Sequence, residues 1–175
     1  MTTYISLLRG INVSGQKKIK MAELKTLYES LGLQGVVTYI QSGNVIFENN
    51  RDTLTLKSLL ENNIEEQFSF HVPVEVIPLN EFIEIKDQMP FTDIDLELDG
   101  TKVLVTVLSA LPQTELIGKL MGYVKAPEKL FTKEKVIYLH CPNGYGKTKL
   151  SNNFIENKLK VTATTRNLKS IVKLS

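Results

Sequence analysis

Two short polar segments carry the side chains in this sequence best suited to chemistry: Arg9-Gly10-Ile11-Asn12-Val13 and Gln41-Ser42-Gly43-Asn44-Val45. Arg9 is a permanent cation with a planar fork of donors matched to carboxylate or phosphate. Asn12, Gln41, Ser42 and Asn44 add neutral donors and acceptors. Gly10, Gly15 and Gly43 let the backbone approach a ligand closely. Lys17, Lys18 and Lys20 add positive potential nearby. Such a set favours an anion. It holds no carboxylate and no histidine, so it lacks a general base, and the chemistry it points to is binding. The competing reading is that Asn and Ser satisfy turn backbones while Arg9 pairs with a structural carboxylate.

A second candidate set is Lys147, Lys149, Arg166 and Asn167. Gly146-Lys147-Thr148 follows an expected strand and precedes an expected helix, as in a phosphate-binding P-loop. That motif requires glycine where Cys141 stands, and Pro142 follows it, so a P-loop is not expected. A looser anion site at the helix start is compatible with the sequence, as is a plain N-cap role for Thr148. His140 and Cys141 are neighbours on a strand and point to opposite faces, so they cannot act as base and nucleophile together. His71 reads as a packed or surface histidine. The acidic run Asp93 to Asp99 alternates with Ile94, Leu96 and Leu98, which suggests an edge strand or a solvated connector rather than a metal site.

The elements that must position these residues follow from periodicity. Tyr4 to Leu8 is short and apolar, a buried strand. Met21, Leu24, Leu27, Tyr28 and Leu31 recur at helical spacing and Gly32 follows as a stop. Val36 to Ile40 and Asn44 to Phe47 read as strands joined at Ser42-Gly43. Leu56, Leu59, Leu60, Ile64 and Phe68 give a second helical stripe, and Val72, Val74 and Val76 a strand that Pro73 assigns to a sheet edge. Asn80 to Gln88 fits a short helix. The same grammar then returns: a strand over Val103 to Leu108, a helix through Leu116 to Val124, strands at 129–132 and 136–140, a helix over 149–158, a strand at 161–165 and a terminal helix over 167–174.

A β-α-β-β-α-β order is the split βαβ arrangement, so the chain is expected to be α+β, with two ferredoxin-like halves built on antiparallel sheets. Residues 1–88 form the first half, 89–100 a connector and 101–175 the second half with its C-terminal helix. In this topology the end of the first strand meets the second-to-third hairpin. Arg9 and Asn12 should therefore meet Gln41, Ser42 and Asn44. The loop 142–149 should likewise lie near Arg166 and Asn167.

Composition bounds the rest. With 175 residues, 42% hydrophobic and 23% charged, the chain is ordinary for a globular protein. A net charge of +2, from 21 basic and 19 acidic side chains, is too balanced to announce a nucleic-acid or membrane partner. One cysteine and two histidines disfavour a zinc site, and no metal or cofactor is expected. The start lacks a basic stretch followed by an apolar one, and no run approaches a membrane span. A cytoplasmic protein is expected.

Several motifs are familiar. Leu7-Leu8-Arg9-Gly10-Ile11-Asn12-Val13-Ser14-Gly15, Met21-Ala22-Glu23-Leu24 and Thr38-Tyr39-Ile40-Gln41-Ser42-Gly43-Asn44-Val45-Ile46-Phe47 resemble a widespread bacterial family whose members are grouped as a domain of unknown function. The resemblance extends to Pro90-Phe91 and to Thr164-Thr165-Arg166-Asn167. It implies two ferredoxin-like halves and brings no activity. The chain departs from the family pattern at Ser14, where glycine is usual, and at Leu168 and Lys169-Ser170, where tryptophan and Asn-Thr are usual.

Two further functional readings stand beside a small anionic ligand. Single-stranded nucleic acid would stack on sheet aromatics such as Tyr4 and Phe47, with Lys17 and Lys18 on the backbone. A protein partner would need no ligand site at all.

Overall fold

The computed structural model describes all 175 residues. They divide into two compact units, Met1–Ile83 and Glu84–Ser175. The first runs β1 (Thr2–Leu8), α1 (Met21–Ser30), β2 (Gln34–Tyr39), β3 (Asn44–Asn49), α2 (Thr53–Phe68), β4 (Val74–Pro78) and the start of α3 (Leu79–Asp87). Its sheet has the order β2-β3-β1-β4, with every neighbouring pair antiparallel.

The second unit repeats the order: α4 (Leu96–Asp99), β5 (Val103–Leu108), α5 (Thr114–Met121), β6 (Lys129–Lys133), β7 (Val136–His140), α6 (Asn152–Leu159), β8 (Ala163–Asn167) and α7 (Leu168–Leu174). Its antiparallel sheet has the order β6-β7-β5-β8. The fold class read from the element order holds: an α+β chain with two similar halves.

Each unit has its own core. In the first, Tyr4 and Leu8 of β1 meet Leu24, Leu27 and Tyr28 of α1 and Leu56, Leu60 and Ile64 of α2. In the second, Leu104 and Leu108 of β5 meet Leu120 of α5 and Ile155 and Leu159 of α6. The strand period of two sends Ile5 and Leu7, or Val103, Val105 and Val107, to the opposite faces, where they are buried as well.

Local chemistry sets the element ends. Asp52 caps α2, its carboxylate accepting from Thr55 N at 2.9 Å and Thr55 Oγ1 at 2.8 Å. These bonds hold the Asp52 carboxyl below its usual pKa. Gly32, at φ 80, ends α1 as expected.

Local detail sharpens the sequence reading at the following places. The acidic run forms no strand: Asp93, Asp95 and Glu97 are exposed, and Asp95 accepts from Glu97 N and Leu98 N and caps the short α4. The 89–100 segment belongs to the second unit, where Phe91 packs 5.5 Å from the His140 ring and Glu97 pairs with Lys169 at 3.1 Å. The helix expected over 149–158 begins at Asn152, because Ser151 accepts from Phe154 N and is its cap. Thr148 is not that cap: its hydroxyl accepts from Leu150 N at 3.1 Å.

Candidate functional site

The two polar segments of the first unit do converge, and backbone geometry joins them. Leu8 N–H donates to Gly43 O at 2.8 Å, tying the end of β1 to the β2–β3 turn. Gly43 adopts φ +82, and a Cβ there would stand 2.7 Å from Ile11 Cδ1 and 2.8 Å from Leu8 Cβ. Only glycine lets the turn sit this close.

Asn12 is the junction. It holds a left-handed φ of 55, which asparagine tolerates better than most residues. Its Nδ2 donates to Gln41 O at 2.7 Å and to Ile19 O at 3.0 Å, while its Oδ1 accepts from Ile19 N at 2.9 Å. Lys17 Nζ donates to His71 O at 2.8 Å and pins the loop from the other side.

These contacts shape a groove of about 740 Å³, lined by Asn12, Gly15, Lys18, Lys20, Glu23 and Gln41 among others. One wall is the start of α1. Lys20 occupies the N-cap position and its side chain makes no capping bond. Met21, Ala22 and Glu23, the first residues of α1, line the groove and receive no side-chain cap from Lys20, and the helix dipole adds positive potential at this end. Lys18 and Lys20 are exposed and form no ion pair. Glu23 is the one carboxylate on the lining.

The other expected members of the first cluster are not among the residues that line the groove. Arg9 is half-buried at the end of β1, its N–H donating to Pro73 O at 3.0 Å, and it does not line the groove. Asn44 is fully buried; its Nδ2 donates to Ser42 Oγ at 2.9 Å and to Tyr39 O at 3.3 Å. Ser42 and Asn44 are thus joined to each other within the turn. Of the five residues expected together, Asn12 and Gln41 reach the groove. Its cationic side comes from Lys18 and Lys20. The readable signal for an open helix start was a lysine standing where Ser, Thr, Asp or Asn would cap.

The residues of the second cluster are distributed over β8, the start of α7 and the 145–149 loop. Asn167 caps α7, Oδ1 accepting from Ser170 N at 2.9 Å. Arg166 Nη1 donates to Thr165 O at 3.0 Å, and burial lowers the guanidinium pKa to about 10. Lys147 ends a single 3₁₀ turn (Tyr145–Lys147), and Lys147 and Lys149 are exposed. The helix start expected to gather them lies further along the chain.

Cys141, His140 and His71 do not line the groove. Cys141 is buried and its thiol is pushed up to about 11 by desolvation, a poor nucleophile. Burial lowers the His140 pKa. His71 is exposed beside Glu65 at 3.4 Å. No group of His, Cys, Asp or Glu is placed to hold a metal ion. Tyr4 and Phe47, proposed as stacking platforms for bases, are 6% and 0% exposed, with their rings 5.9 Å apart in the core. No helix is long and apolar enough to cross a membrane.

Two four-stranded antiparallel sheets, each built on a βαββαβ string with the motif-bearing turns at one sheet end, define the class. The chain belongs to the family described as "Protein of unknown function (DUF1697)", whose model matches residues 1–138. Among curated proteins none matches. A solved structure, that of the conserved bacterial protein SP0830 from Streptococcus pneumoniae, is similar with a TM-score of 0.78 and 26% identity. That similarity covers 99% of this chain and 96% of the other.

Proposed function

We propose that the protein binds a small phosphate- or carboxylate-bearing ligand in the groove at the start of α1. The observation that carries this reading is an uncapped helix start facing a groove flanked by Lys18 and Lys20. An anion there receives backbone N–H donors, the favourable end of the helix dipole and two ammonium groups. Gln41 contributes an exposed amide at the opposite rim. Asn12 contributes position rather than donors, since its carboxamide is committed to Ile19 and Gln41. The nucleic-acid alternative loses its stacking residues to the core. The bacterial relative and a chain that does without disulfides, its single Cys141 free and buried, favour a bacterial cytoplasmic setting.

Thermal melts against inorganic phosphate, nucleotides, sugar phosphates and dicarboxylates test the reading. A binder at a hundred times its Kd adds about 2.7 kcal/mol, a shift of roughly 5–10 °C for a chain of this length. Lys18→Glu with Lys20→Glu should abolish the shift and Lys149→Glu should leave it. If no compound in the panel moves the melt, the groove is not an anion receptor.

A further inference from the structure

The four strands at the sheet edges are not defended alike. β4 carries Pro78 and Glu75, the latter paired with Lys57 at 3.5 Å; β6 carries the exposed Lys129 and Lys133; and β8 carries the largely buried Arg166. Charges and prolines on an edge oppose pairing with another chain. β2 has neither, and residues 30–47 form the longest charge-free run in the sequence. The outer side of β2 pairs with no strand. Val37, Tyr39 and Ile40 are 48%, 36% and 51% exposed. A register shift between Gln34 and Val37 spoils the first part of the strand as a template, which leaves Val37–Tyr39 as its regular stretch.

We propose that two copies of this chain associate through β2, strand against antiparallel strand about a two-fold axis, so that the two sheets become one. The argument for a second copy is charge. In an antiparallel pair of identical strands each residue faces the same strand's residues, so a charged edge would oppose its own charge. β2 is the one edge strand with no charged residue, whereas β6 would set its exposed lysines against one another. What it presents to itself is valine, threonine and tyrosine, the residue types that pair well across strands. The contact is short, so association should depend on concentration.

Sedimentation equilibrium of the full chain over about 5 to about 500 µM, the range in which small interfaces associate, is the test. The weight-average mass should rise twofold. Val37→Lys and, separately, Tyr39→Glu should keep it at the monomer value, with circular dichroism showing each variant folded. Phe131→Lys, on the β6 edge, should dimerise like the parent. The amides of residues 37–39 that face away from β3 should exchange more slowly in the concentrated sample. A parent chain that stays monomeric throughout overturns the proposal, even if an added extended peptide protects those amides. So does a dimer that survives both β2 variants, or one lost on changing Phe131.

Discussion

The Asn12 side chain donates to Gln41 O at 2.7 Å across a sequence separation of 29. The same carboxamide brackets Ile19 through both its atoms. One residue thus closes the 12–19 loop on itself, fastens it to the β2–β3 turn, and sets the distance between the groove's two rims. Asn12→Ala should destabilise the chain by about 2–3 kcal/mol, from lost hydrogen bonds to backbone plus a left-handed φ without asparagine's tolerance. Asn12→Gly should cost less, since glycine accepts that φ. Urea unfolding of both variants checks the order, and an equal cost would mean that conformation contributes nothing.

Gly43 and Gly10 separate space from conformation. Both have positive φ, at +82 and +73, but an added Cβ at Gly10 meets nothing within 4 Å. Gly10→Ala should cost about 1 kcal/mol of backbone strain. Gly43→Ala must also displace Leu8 and Ile11, and about 3 kcal/mol or more is expected. Denaturant midpoints of the two proteins should differ accordingly.

Lys20 sets stability against binding. Lys20→Ser introduces a side-chain cap for α1 and should stabilise the fold by about 1 kcal/mol. The same change occupies backbone donors and removes a cation, so any ligand-induced rise in melting temperature should shrink. Melts with and without ligand measure both effects, and a variant that gains stability while keeping its full ligand shift would contradict the groove assignment.

Cys141 makes stability fall with alkali. Its thiol titrates near 11 in the folded chain, against an ordinary 9.0, because burial penalises the thiolate. The folded state therefore holds a proton that the unfolded state gives up. This contribution is complete below pH 9 and is lost as pH climbs through 11. Tyr138, raised to about 12 by burial, acts in the same direction from about pH 10. The urea midpoint should drop between pH 9 and 11, and Cys141→Ala should flatten the first part of that drop. A parent midpoint that stays level over this interval would contradict a buried neutral thiol.

The architecture was legible because periodicity reports which face is buried. β5 and β7 occupy the very residues read from their apolar runs. The meeting of Asn12 with Gln41 was also legible, since it follows from strand order rather than side-chain detail. The roles within the cluster were not. Arg, Asn and Ser look alike in sequence whether they serve a ligand or a turn. Asn44 satisfies backbone and hydroxyl groups in full burial, a distinction made by packing. The same ambiguity hid the start of α6. Thr148 and Ser151 are both good caps, and the choice rests on the 3₁₀ turn that precedes them. Tyr4 and Phe47 were correctly placed side by side, but the α1 and α2 stripes cover the face they occupy.

The lone cysteine also makes the chain a convenient host for site-directed labelling. Cys141 is 1% exposed and protonated at neutral pH, so a maleimide dye or spin label added under native conditions should ignore it. A single cysteine introduced at the rim of the groove, or on the outward side of Val37, then reports alone, with no need to engineer a thiol-free parent first.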